Sequence, residues 1–88
     1  MKNFEIESTG DVYNFLNFIF LKCLCSFDPA EHLSMLKTAS GDPVFASDEI
    51  LCYEKTMNAA FIFCVFNKIN IYGFSEFVKE QDPIKHAA

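Results

Sequence analysis

The stretch Ala59–Phe66 reads AAFIFCVF, eight consecutive residues without a polar side chain. On a helix this run would be apolar on every side, and on a strand it would be apolar on both faces, so either conformation requires cover from the rest of the chain. Helix formers in Met57–Ala60 lead into it. The run therefore predicts the core of the fold, as the second half of a long helix from Asp48 to about Lys68.

A second interpretation turns the same region into a β-hairpin. Residues 61–66 and 69–72 are rich in β-branched and aromatic side chains, and Asn67-Lys68 would be the two-residue turn between them. Residues 3–8 alternate apolar and polar side chains and would add a third strand. Because Asn-Lys lacks the glycine that such turns favour, we prefer the helix and keep this small sheet, in an α+β fold, as the alternative.

Three further helices are predicted around the central one, over Asp11–Ser26, Asp28–Ser40 and Ser75–Gln81. The first has a wide apolar face, and its polar side chains, mainly Asn and Lys, fall within roughly the other half of the circumference. The last begins after Gly73, and we expect it to turn Phe74, Phe77 and Val78 inward. Asp82-Pro83 would stop it.

The start of the second predicted helix is the clearest local signal in the chain. Asp28 can cap a helix, Pro29 suits the first helical position, and a glutamate stands three residues after the cap, as in a capping box. We expect this helix to point Leu33, Met35 and Leu36 inward and to end before Gly41.

These elements predict an all-α fold, a compact bundle of about four helices around a central apolar helix. A chain of 88 residues has room for one small globular domain, residues 1–88. Its apolar fraction of 51 % with eleven Phe is high for this size. Some apolar surface should therefore remain for a protein partner or a second copy.

The charged residues narrow the class of partner. Seven Lys, no Arg and twelve acidic residues give a net charge of −5. Arginine supplies the planar fork that recognises phosphates and guanine edges, so its absence argues against nucleic-acid binding. A charged partner of this chain is expected to be a basic protein.

The chemistry available for catalysis or metal binding is sparse. His32 and His86 are not placed by any nucleophile or glycine-rich motif, so we predict that the chain is not an enzyme. Cys23 and Cys25 would point about 200° apart on one helix and so would not converge on one ion. We expect reduced, packing cysteines, no metal and no cofactor.

The first residues do not follow the pattern of a secretion signal, and neither apolar segment has the uninterrupted length of about 18 to 20 residues that a membrane span needs. We therefore expect a cytoplasmic protein with no membrane partner.

The acid-rich part of the chain, residues 28–54, carries six acidic residues and one Lys. Acids near a helix start also favour the helix dipole, so a solvated acidic face explains them without a partner. The functional interpretation is a surface for a basic protein, with two aromatic residues as anchors. The predicted partner-binding residues are Asp42, Phe45, Asp48, Glu49, Tyr53 and Glu54.

Small size, negative charge and the lack of Arg are expected of an inhibitor that blocks a basic, nucleic-acid-handling protein. An immunity protein or an antitoxin paired with a nuclease toxin is one example. A phage- or plasmid-encoded inhibitor of a host enzyme fits equally well. A structural homo-oligomer, such as a homodimer that buries the surplus Phe and Ile, is the alternative from a different class.

Overall fold

Helices dominate the part of the chain that the computed structural model describes, residues 3–23, 28–38 and 40–81. In these ranges there are three α-helices, α1 (Thr9–Cys23), α2 (Ser47–Phe66) and α3 (Ile71–Glu80), and a short 3₁₀ helix over Leu33–Met35. The all-α prediction is confirmed. The four-helix arrangement is not, because the described ranges contain three α-helices.

Helix α1 begins at a side-chain cap and buries a regular stripe. The Ser8 hydroxyl accepts a hydrogen bond from the Asp11 N–H in the first turn, and the Asp11 carboxylate accepts one from the N–H of Glu7, which precedes the helix. The buried side chains follow the spacing of one helix face: Val12, Phe15, Leu16, Ile19, Phe20 and Cys23. The predicted end at Ser26 lies outside the described residues.

An aromatic layer centred on Tyr53 joins α1 to α2. The Tyr53 ring lies 5.3 Å from the Phe18 ring and 5.3 Å from the Phe45 ring, both edge to face, and Phe4 and Phe15 complete the group at 6.3 Å. Edge-to-face pairs at these distances add stabilisation beyond the area they bury. Helix α3 packs on the other side of the core, against α1.

The predicted helix over Asp28–Ser40 is wrong. Asp28 does cap locally, accepting a hydrogen bond from the Ala30 N–H, but the turn closes after Glu31 and the chain is extended again at His32. Extended backbone at His32 and Leu36 brackets the 3₁₀ turn and lets Leu33 and Leu36 both reach the core. Tertiary burial of these two leucines therefore outweighs the local helix signal.

The segment after the 3₁₀ turn is held by backbone hydrogen bonds across a tight loop. Thr38 N–H donates to Asp42 O, Val44 N–H donates to Leu36 O, and Gly41 adopts a positive φ of 89° at the tip. Gly41 is thus in the left-handed region, as predicted, but it serves this loop and does not end a helix. Met35, predicted to point inward, is exposed.

Helix α2 has nearly the predicted bounds but not the predicted burial. Its core-facing side chains are Tyr53, Thr56, Met57, Ala60 and Cys64. Ile62, Val65 and Phe66, from the run expected to be covered all round, are 58 %, 74 % and 81 % exposed. In the described ranges, α1, α3 and the 3₁₀ turn cover one side of this helix and leave the other open.

The end of α2 excludes the hairpin alternative. Lys68 adopts the left-handed conformation at φ 56°, its N–H donates to Val65 O, and the Ile69 N–H donates to Cys64 O. These two bonds form a Schellman motif with lysine at the position usually taken by glycine. Residues 61–66 are helical, and residues 3–8 and 69–72 form no strand.

Helix α3 starts four residues before the predicted Ser75. The side chain of Asn70 accepts hydrogen bonds from the Tyr72 N–H at 3.0 Å and the Gly73 N–H at 3.4 Å, so Asn70 is the N-cap. Gly73, expected to end the preceding element, lies in the first turn of α3. Val78 is buried as predicted, whereas Phe77 is 52 % exposed.

Among the described residues, every helix falls short of the length or the apolar content that a bilayer span requires.

The core can be tested by graded truncation. Phe15→Ala should lower the free energy of unfolding by about 3 to 5 kcal/mol, and Ile19→Val by about 0.5 to 1.5 kcal/mol, because both side chains are fully buried. Met35→Ala, at a 68 % exposed residue, should change it by less than about 0.5 kcal/mol. Urea titration followed by circular dichroism measures all three, and a large effect at Met35 would contradict the placement of the 3₁₀ turn.

The N-cap of α3 gives a second prediction. Asn70→Ala should destabilise the fold by about 1 kcal/mol, because two N–H groups in the first turn lose their acceptor. Asn70→Asp keeps an acceptor and should retain most of the stability. Equal stability of the alanine and aspartate variants in thermal unfolding would show that residue 70 does not begin a helix.

Candidate functional site

Acidic side chains from two separate parts of the chain line one groove. One wall comes from the turn before the 3₁₀ helix and the other from the first two turns of α3. The groove is an open-sided cavity of about 530 Å³, lined by Asp28, Pro29, Glu31, Tyr72, Gly73, Ser75 and Glu76. Three of these seven residues are acidic and one is aromatic.

A second cavity of about 340 Å³ adjoins the first and shares Pro29, Glu31 and Tyr72 with it. This part reaches the flank of α2, where Glu54 supplies a further carboxylate. Its remaining lining residues are Ala30, His32, Met57, Asn58 and Phe61. We call the two cavities together the acidic groove.

The carboxylates of the acidic groove are partly engaged by the protein. Asp28 holds the Ala30 N–H at 2.9 Å, and Glu54 Oε1 accepts a hydrogen bond from the Leu33 N–H at 2.7 Å. Glu76 lies 4.0 Å from the Lys79 ammonium and is largely exposed. Each carboxylate has further lone pairs, so an incoming cationic side chain can still be bound.

Tyr72 forms the aromatic part of the acidic groove. Its ring is about half exposed and packs edge to face against the Phe61 ring at 6.1 Å. An exposed aromatic face among carboxylates suits a Lys or Arg side chain, because the cation can contact the ring and a carboxylate together.

Ser34, His32 and Glu54 form a cluster with the residue types of a catalytic triad. Ser34 Oγ lies 2.8 Å from His32 Nδ1, and Glu54 Oε2 lies 3.8 Å from His32 Nε2. However, the Ser34 N–H also donates to Nδ1, so the imidazole caps the 3₁₀ turn in which Ser34 lies. Both Ser34 and His32 are exposed, which leaves no water-excluded site for acyl chemistry at this position. These contacts hold the turn in place.

Two of the predicted partner-binding residues lie in the core. Phe45 is 3 % exposed and Tyr53 is 1 % exposed, and their rings pack against each other. Neither side chain is available as a surface anchor, so that part of the prediction is corrected. Tyr53 lies on the core-facing side of α2, and Phe45 reaches it because the connector before α2 folds inward.

The four acidic residues of the predicted partner-binding set lie at different places in the structure. Asp42 lies at the loop tip and accepts a hydrogen bond from the Ser40 hydroxyl, and Asp48 is exposed in the first turn of α2. Glu49 accepts a hydrogen bond from the Ala46 N–H at 2.9 Å and so caps α2. Glu54 is the member of the predicted set that lines the acidic groove.

Tyr72 and Glu76 were not predicted as site residues, because they lie far along the chain from the acid-rich residues 28–54. Asp28 and Glu31 were identified as helix-capping residues, and Glu76 lies in the half of the chain where Lys and acids nearly balance. Their convergence depends on α3 starting at Ile71. The N-cap signal of Asn70 is the local clue that could have indicated this start.

Burial raises the pKa of the Cys64 thiol, so this cysteine stays protonated and unreactive at neutral pH. The described cysteines Cys23, Cys52 and Cys64 are free thiols. Within residues 3–23, 28–38 and 40–81, no three His, Cys, Asp or Glu side chains converge as metal ligands.

Comparison of the chain with protein-family models, with curated proteins and with solved structures gave no match.

The tie between Glu54 and the 3₁₀ turn can be tested by two matched substitutions. Glu54→Ala should destabilise the fold by about 1 to 3 kcal/mol, because the part-buried Leu33 N–H loses its acceptor. Glu54→Gln keeps a carbonyl acceptor for this N–H and should lose clearly less stability than Glu54→Ala. If urea unfolding shows equal losses for both, the negative charge of Glu54 and not this hydrogen bond stabilises the turn.

Proposed function

We propose that the chain is a protein-binding domain that takes a basic segment of another protein into the acidic groove. The observation that carries this proposal is the convergence of Asp28, Glu31, Glu54 and Glu76 around the exposed ring of Tyr72. The carboxylates favour a positively charged partner, and Tyr72 with the half-buried Phe61 supplies apolar contact for its side chains.

The dimensions of the acidic groove suit one or two long side chains of a partner. A cavity of about 530 Å³ is within the range of sites that enclose small ligands, and the adjoining cavity extends it along the α2 flank. Lys79 partly neutralises Glu76, so Asp28, Glu31 and Glu54 contribute most of the negative potential.

A domain that binds a basic segment can act as an inhibitor when that segment belongs to a nucleic-acid-handling site. Binding there would exclude the phosphate backbone by occupying its cationic residues. The net charge of −5 would speed the encounter with such a site at low salt. We therefore propose an inhibitor of a basic protein, of the kind represented by an immunity protein, an antitoxin or a phage- or plasmid-encoded inhibitor.

Matched charge reversals test which acidic surface binds. The double variant Glu31→Lys/Glu76→Lys should weaken binding of a labelled Lys/Arg-rich decapeptide more than about tenfold, because it places cations on both walls of the acidic groove. The double variant Asp42→Lys/Asp48→Lys has the same net charge but leaves the acidic groove intact. Its affinity for the decapeptide should therefore fall less than about threefold. Fluorescence anisotropy across a salt series measures both.

If both double variants lost affinity equally, peptide binding would depend on the overall charge of the chain. That result would contradict the acidic groove as the binding site. The same two double variants also serve in a pull-down from host lysate. A natural partner should be retained by the wild type and by Asp42→Lys/Asp48→Lys, and lost with Glu31→Lys/Glu76→Lys.

A further inference from the structure

The outer side of α2 carries an apolar stripe that the described part of the fold leaves open. Its large members are Leu51, Ile62, Val65 and Phe66, which are 67 %, 58 %, 74 % and 81 % exposed. At about 100° per residue these positions share one half of the helix circumference with the exposed Lys55, Asn58 and Ala59. We call these seven residues the α2 stripe.

We propose that the α2 stripe is the interface of a homodimer, in which the α2 helices of two copies of this chain pack antiparallel. This interface is separate from the acidic groove apart from Asn58, which borders both. Self-association therefore does not depend on the proposed function.

The order of side-chain sizes along the α2 stripe is self-complementary. Large residues stand at the two ends, and the small Asn58 and Ala59 stand in the middle. A two-fold axis between Asn58 and Ala59 places Leu51 against Phe66 of the second copy at both ends. The small central pair lets the helix axes approach closely, as ridges-into-grooves packing at about 8 to 10 Å requires.

Charge favours a second copy over a basic partner at this place. From Lys55 to Ser75 the chain has no acidic residue, while Lys55 and Lys68 lie on or next to the α2 stripe. A basic partner would meet like charge there. In the antiparallel pair Asp48 of one copy lies level with Lys68 of the other, and the two helix dipoles oppose each other.

Lys68 offers a second indication. It occupies the left-handed position that ends α2, where glycine or asparagine is less strained. In the antiparallel pair, an acid of the second copy would give the Lys68 ammonium group a charge partner.

The area agrees with a weak, concentration-dependent dimer. The four large side chains are each more than half exposed, and covering them completely would bury roughly 1000 Å² in the pair, about the least that a biological interface buries. Lys55 opposes Ile62 of the second copy, and its alkyl stem can cover part of that side chain.

Sedimentation equilibrium over about 1 to 500 µM tests the proposal directly, with the monomer mass of 10.0 kDa as reference. The wild type should sediment as a dimer at the upper end of the range. Ile62→Lys should weaken the dimer more than about 30-fold, because it replaces a buried apolar contact by a cation against Lys55 of the second copy, one helical turn from the centre of the interface. Met35→Lys makes the same charge change at a 68 % exposed residue outside the α2 stripe and should leave the dimer intact.

Charge swaps test the antiparallel orientation. Asp48→Lys and Lys68→Asp should each weaken the dimer about threefold at low salt, and the double variant should recover wild-type association. In a parallel pair these residues would be about 30 Å apart, and the double variant would show no recovery. Aspartate is tolerated in the left-handed region, so Lys68→Asp does not strain the helix end.

A wild type that stays monomeric throughout the concentration range overturns the proposal. So does equal dissociation by Ile62→Lys and Met35→Lys, since that would mark a general effect of added charge. Circular dichroism of Ile62→Lys should match the wild type, because Ile62 is exposed in the monomer and lysine is a good helix former.

Discussion

The packing of aromatic rings around Tyr53 is the constraint on which the rest of the structure depends. Rings from the first residues of the chain, from α1 and from the connector before α2 meet on one tyrosine. Because these segments are distant in sequence, their docking fixes how α1 lies relative to α2. In the described part of the segment between the two helices, Leu33 and Leu36 then close the core.

Local signals in the sequence predicted the helices that agree with the tertiary fold. The start of α1 and both ends of α2 lie within two residues of the bounds that capping residues and apolar spacing predict, whereas the predicted end of α1 lies outside the described residues. The helix at Asp28 failed because its cap signal was satisfied by a single turn, after which the burial of Leu33 and Leu36 required extended backbone. A capping box indicates where a turn begins and not how far a helix continues.

The prediction for the apolar run Ala59–Phe66 was correct in conformation and wrong in burial. Its helical conformation was predicted correctly, but continuous apolarity was taken to mean burial on all sides. Ala60 and Cys64 are buried while Val65 and Phe66 are not, because the described elements pack against only one side of the 20-residue helix α2. The site was predicted less well, since Asp28, Glu31 and Glu76 come together only through tertiary contacts.

The two walls of the acidic groove are built differently. Tyr72 and Glu76 stand on a capped helix that packs against α1, whereas Pro29 and Glu31 belong to a turn linked to α2 through the Glu54 carboxylate. Short irregular segments open at lower free energy than core helices. Amide exchange should therefore be faster in the Pro29 wall than in α3. A basic segment bound between the walls would favour the conformations in which the turn is ordered. Its affinity for the acidic groove is therefore thermodynamically linked to the order of the turn.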